Sequence, residues 1–165
     1  MTSLVSGGRG SRFKPSKIHW GAAKSVAENA SGKLPDLARE FLAGGHKLMA
    51  SSPSFASLHR FRLLTKRFRY TLELFRCCYG PGLERRIEAL HTLQQRLGEI
   101  NDCATTREIL LDREDLRFAE RDRLVRRLEE LAVTRVDSLR LHWQEDFAPP
   151  RRERWWTDYL SRYAG

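Results

Sequence analysis

The chain has 165 residues, 41% hydrophobic and 31% charged, which is enough for one domain with a sizeable core and short for two. Its formal net charge of +9 at pH 7 points to polyanions or anionic surfaces and away from cationic substrates. Of the 30 basic residues 24 are Arg, whose guanidinium fork grips phosphate or carboxylate oxygens in pairs. Three cysteines, Cys77, Cys78 and Cys103, two of them adjacent, argue against a disulfide framework. The opening MTSLVSGGRG lacks a charged stretch followed by an apolar run, and no window approaches 18 consecutive apolar residues. A cytoplasmic protein without a membrane span is the expectation.

Residues 1–33 are rich in Gly, Ser and Lys, with six basic residues against Glu28, and read as a basic tail in which Ile18, Trp20 and Val26 offer a short anchoring turn. Residues 34–148 lack strand-like alternation and are dense in Leu, Glu and Arg, which predicts an all-α, antiparallel bundle. A first helix is predicted from Asp36 to about Ala50, with Leu37, Phe41 and Leu48 on one side and Gly44-Gly45 weakening its middle. Ser54 or Ser57 caps a second helix running to about Tyr79, where Gly80-Pro81-Gly82 stops it. Leu83, Ile87, Leu90 and Leu97 then repeat at helical spacing until Gly98, a suitable helix end. Asn101 or Asp102 caps a short fourth helix to about Leu111. A long charged helix follows from Leu116 to about Gln144, with Leu124, Leu128, Leu131 and Leu139 on one face. Residues 149–165 form a terminal aromatic helix or tail, in which Trp155, Trp156 and Tyr159 are the docking residues. About five helices result.

Positive charge is concentrated on the second helix. Residues 59–79 hold Arg60, Arg62, Lys66, Arg67, Arg69 and Arg76 against Glu73 alone, whereas 83–148 sum to a slightly negative value. At 100° per residue, His59, Arg62, Lys66, Arg69, Tyr70 and Glu73 fall within an arc of roughly 100°. Phe61, Leu64, Phe68, Leu72 and Phe75 fall within roughly 80° on the opposite side and form a core face. A rise of about 1.5 Å per residue spreads His59 to Arg69 over roughly 15 Å, with cations about one turn apart. That spacing suits a linear polyanion better than a point anion. A charged helix face is usually only solvated, but this stripe has almost no compensating acid, and a His and a Tyr are set among its cations.

The string His59-x-x-Arg62-x-x-x-Lys66-x-x-Arg69-Tyr70, followed by LQQRLGEIND at 93–102, resembles the CHAD family, the conserved-histidine α-helical domain. The resemblance is good over Leu34 to Leu111 and loose beyond. It implies a helical bundle whose basic face lines a cavity or channel that binds inorganic polyphosphate, often in proteins associated with polyphosphate granules. By matching position His59, Arg62, Lys66, Arg69 and Tyr70 are the ligand-facing residues, while Asp102 matches an acidic position that reads physically as a helix cap. Members of this family usually carry two pseudo-symmetric halves, and only one His/Arg/Lys helix, similar to the second, is visible here. A homodimer that supplies the missing half is the expectation.

Arg39, Lys47 and Arg96 are possible additional basic contacts. Glu88-x-x-His91 is half of a di-iron pattern without its other ligands, and His19, His46 and His142 lack metal-ligand spacing, so neither metal nor cofactor is expected. No P-loop, no nucleophile elbow and no carboxylate cluster is present, so a non-catalytic binding role is expected. The rival readings are a nucleic-acid binder, for which the stripe offers one stacking aromatic and no base-reading amide, and a helical adaptor for an acidic protein.

Overall fold

A computed structural model describes residues 18–162 and shows five α-helices, with no strand among those residues. They are α1 (Val26–Met49), α2 (Phe55–Leu74), α3 (Gly82–Leu111), α4 (Phe118–Asp146) and α5 (Pro150–Arg162). The all-α expectation holds. Residues 26–33, assigned above to the tail, are the first two turns of α1; the rest of that tail up to residue 17 lies outside the described residues, as does Tyr163.

Helix α1 begins ahead of Pro35 because Ser25 closes a capping box. Its hydroxyl accepts from the Glu28 amide at 3.2 Å, and its own amide donates to Glu28 Oε2 at 2.7 Å. Pro35 then lies inside the helix and is buried. A mid-helix proline costs about 3 kcal/mol. The cost is offset because Ala30, Leu34, Ala38 and Phe41 form one fully buried face on both sides of it.

Ser54, of the two candidate caps, begins α2 by accepting from the Ser57 amide at 3.3 Å. The helix ends at Leu74, earlier than the expected Tyr79, and a 3-10 turn spans Arg76–Cys78. Phe61, Phe68, Leu72 and Phe75 are buried and Leu64 packs on the core from its edge, as the wheel predicts.

The predicted third and fourth helices are one. Helix α3 runs 30 residues through Gly98, and neither Asn101 nor Asp102 caps anything. Leu93, Leu97, Ile100 and Cys103 continue a buried stripe across that glycine, and their burial outweighs its propensity cost of about 1 kcal/mol. In α4 the expected leucine face is buried only in part: Leu139 is in the core with Val125, Ala132, Val136 and Trp143, Leu128 is half-buried, and Leu124 and Leu131 are exposed.

Two antiparallel hairpins meet on α3, which packs against α2 on one flank and α4 on the other. Helix α1 lies against α2 and α5 and closes an aromatic core. Phe41 stacks on Phe61 with ring centres 5.5 Å apart and meets Trp143 edge-on at 5.8 Å, and Trp143 stacks on Phe147 at 4.9 Å. The docking role expected of α5 is met by Trp156, fully buried, with Trp155 and Tyr159 packed at the core edge. Arg86 of α3 is clamped between these last two, its guanidinium carbon 3.7 Å from the Trp155 ring centre and 3.8 Å from that of Tyr159.

Two glycines of α1 predict opposite effects. A methyl group at Gly45 would sit 1.9 Å from Trp143 Cη2, whereas one at Gly32 meets nothing within 4 Å. Gly45→Ala is expected to destabilise by about 1–3 kcal/mol through overpacking, and Gly32→Ala to stabilise by roughly 0.5–1 kcal/mol through helix propensity. Thermal melts should then move in opposite directions, by about 2–4 °C per kcal/mol.

Candidate functional site

The basic stripe of α2 lies along its seam with α3. His59 Nδ1 is 2.7 Å from Asn101 Oδ1, Arg62 Nε lies 3.8 Å from where a Cβ on Gly98 would be, and Arg69 Nε donates to Gln94 Oε1 at 2.9 Å. As the α2 numbers rise the α3 numbers fall, so the two family-like strings face each other along an antiparallel pair. Gln94, Gly98 and Asn101 recur at i, i+4 and i+7, one face of α3. That periodicity is present in the sequence, but the helix-boundary signals of Gly98 and Asn101 mask it.

The geometry differs along the seam. At one end Arg69 is held from two sides, by Gln94 and by Glu73 at i+4, with only 15% of its side chain exposed. Tyr70 lies over the same end, 4.4 Å from the Arg69 guanidinium carbon and 5.5 Å from Lys66 Nζ. In the middle the situation reverses. Among the described residues Arg62 and Lys66 form no ion pair, and Arg62 Nε is buried without a hydrogen-bond partner. A buried N–H left unpaired costs about 1–3 kcal/mol. Together these groups present two uncompensated cations, a third held in place, and a ring nitrogen, all on α2 and backed by the uncharged Gln94, Gly98 and Asn101 of α3.

The additional basic contacts are not brought to this seam. Arg39 is exposed and pairs with Asp36 on its own helix, and Lys47 is exposed in the last turn of α1. Arg96 points to the other flank of α3, where its Nη1 donates to Ser138 Oγ of α4 at 3.0 Å. Among the described residues no cluster of three His, Cys, Asp or Glu that could hold a metal ion is present, and no helix is long and apolar enough to cross a membrane.

The CHAD domain family model matches residues 9–111, more than half of the chain, and the protein belongs to that family. The match contains both strings that form the seam. No curated protein and no solved structure matches the chain.

The α3–α4 flank contains a titratable group of its own. His142 Nδ1 is 2.9 Å from Asp146 Oδ2, and its Nε2 is buried without a partner. Burial pushes its pKa below the ordinary histidine value, opposed by the Asp146 charge and aided by that of Arg96. The folded protein therefore resists a proton that the unfolded chain takes up near pH 6.5. Stability is expected to fall as pH drops below about 6.5, and urea titrations should show a shallower fall in His142→Gln.

Proposed function

We propose that this domain binds inorganic polyphosphate without catalysis, along the seam of α2 and α3. The observation that carries the reading is the pair Arg62 and Lys66, central in the stripe and without acidic partners among the described residues. Arg62 and Arg69 grip phosphate oxygens in pairs, Lys66 adds a point charge, and Tyr70 orients the cations beside it. Regular spacing of about one helical turn matches a repeating anion. A location in the cytoplasm at polyphosphate granules follows from the same reading. Nucleic acid is the weaker ligand, because the amides at the seam, Gln94 and Asn101, are already engaged by Arg69 and His59.

A second copy of the chain completes the assembly in this proposal. The far half of the α3–α4 hairpin exposes Ile109, Leu111, Phe118, Leu124 and Leu131. Its charges are of both signs and several are paired, as in Arg107–Glu129, Arg126–Asp122 and Arg127–Glu130. Two copies can therefore meet through this hairpin without the repulsion that the basic stripe would create.

Long-chain polyphosphate is expected to outcompete duplex and single-stranded DNA at about 300 mM salt as well as at 50 mM. Arg62→Ala should weaken it tenfold or more, at about 1.5–3 kcal/mol per charged contact, and adding Lys66→Ala and Arg69→Ala should abolish it. Equal, salt-erased binding of every polyanion would reject a dedicated site. Sedimentation should give twice the 19.2 kDa chain mass for wild type. Leu124→Glu with Leu131→Glu should give the monomer, with helicity intact by circular dichroism; a monomeric wild type would remove the dimer.

A further inference from the structure

The contact between His59 and Asn101 determines which nitrogen of the imidazole carries hydrogen. An amide oxygen only accepts, so with the Asn101 amide turned Oδ1 toward the ring, as the structure has it, the 2.7 Å contact places the hydrogen on His59 Nδ1. A neutral imidazole has one N–H, which leaves Nε2 as a bare lone pair. Nε2 has no hydrogen-bond partner among the described residues, and His59 is exposed on the stripe. Phosphate oxygens also only accept. In this tautomer neutral His59 offers them nothing, and it becomes a donor only by taking a second proton on Nε2.

We propose that Asn101 is a positioning residue that locks His59 in the Nδ1–H tautomer and thereby couples polyphosphate binding to uptake of one proton. This rests on the polyphosphate reading above. The proton comes from solvent and ends on Nε2, where it donates to a phosphate oxygen, and no covalent bond is made or broken. A phosphate chain on the stripe supplies the negative charge that favours the imidazolium. The charged groups around His59 are Arg60, Arg62 and Lys66 on its own helix. From α3 come the uncharged Gly98 and Asn101, with Asp102 next in sequence. On the other side of α2, α1 ends in His46, whose Nδ1 accepts from Trp143 Nε1, and in exposed Lys47. Asn101 is placed opposite His59 by the packing of α3, whose Ile100 and Cys103 are buried.

The test is calorimetric affinity of the full chain for long-chain polyphosphate, whose internal phosphates keep their charge across the range, at constant ionic strength between about pH 5.5 and 8. Nitrogen-15 ring shifts of His59 in the free protein are read alongside. Wild type should bind on the order of tenfold tighter at the acid end, with buffer-dependent enthalpy that reports proton uptake. His59→Gln should remove the pH dependence attributable to this site. Asn101→Ala should still bind but with a flatter profile, because the freed ring can then present Nε2–H while neutral. The ring shifts should show Nδ1–H in wild type near pH 8 and a mixture in Asn101→Ala. An Nε2–H tautomer in wild type, or an Asn101→Ala profile as steep as that of wild type, would overturn the proposal. Absence of polyphosphate binding at every pH would overturn the functional reading and the proton coupling with it, while the ring shifts would still decide the tautomer.

Discussion

Helix α2 has to satisfy two incompatible faces at once, and the arrangement of the other helices follows from that constraint. Phe61, Phe68, Leu72 and Phe75 must leave water, and all four are buried: Phe61 and Phe68 meet Phe41 of α1, Phe68 also meets Trp156 of α5, and Phe75 meets Trp20. Burying them fixes the rotation of α2 about its axis. Once that rotation is fixed, His59, Arg62, Lys66 and Arg69 have one place to go, the seam with α3. There Gly98 leaves room for the Arg62 guanidinium, and Gln94 and Asn101 supply amides where acids would otherwise quench the charge. The site is rigid because both walls are helices tied into the core.

The rest of the chain shows that this lack of acids is local. Arginines elsewhere are commonly paired, as in Arg76–Glu84, Arg107–Glu129, Arg113–Asp115 and Arg135–Glu99. Exposed pairs of this kind contribute little to stability, about 0–1 kcal/mol each, but they keep like charges from accumulating. On the stripe the opposite holds, and like charges at i, i+3 and i+4 repel by a few tenths of a kcal/mol per pair. Arg69 alone is anchored, with Glu73 at its outer end. Arg62 and Lys66 are the cations of the stripe without an acidic partner among the described residues, and it is this pair that sets the seam apart from the paired arginines elsewhere.

The sequence made the stripe legible because amphipathic period and charge agree there: one arc is apolar, the opposite arc basic, and both survive folding. It made the all-α class and the family legible for the same reason. It misled where a local rule competed with burial. Pro35 and Gly98 carry the ordinary signals of a helix boundary, yet each lies within a continuous buried face that outweighs the local cost. In α4 the leucine arc reaches the core only at Leu139, since Val125, Ala132 and Val136 take the α3-facing positions and Leu124 and Leu131 are left outside. The pairing of His59 with Asn101 was invisible for a further reason. Their separation of 42 residues becomes a contact only once α3 is known to be a single helix.

The exposed leucines and the open stripe bear on each other through length. Helix α3 spans about 45 Å, of which the seam with α2 occupies only part. Beyond it the hairpin of α3 and α4 continues, and among the described residues no third helix covers Leu124 or Leu131. Three cations about one turn apart can engage only a few phosphates of a long chain, and the entropy of holding that chain opposes so small a grip. Joining two copies through the hairpin would carry two such stripes on one rigid body. A polyanion bound to the first would then meet the second at high effective concentration, and affinity would rise without any new type of contact. Chain length would become the property recognised, because only a polyanion long enough to reach both stripes gains from the pairing.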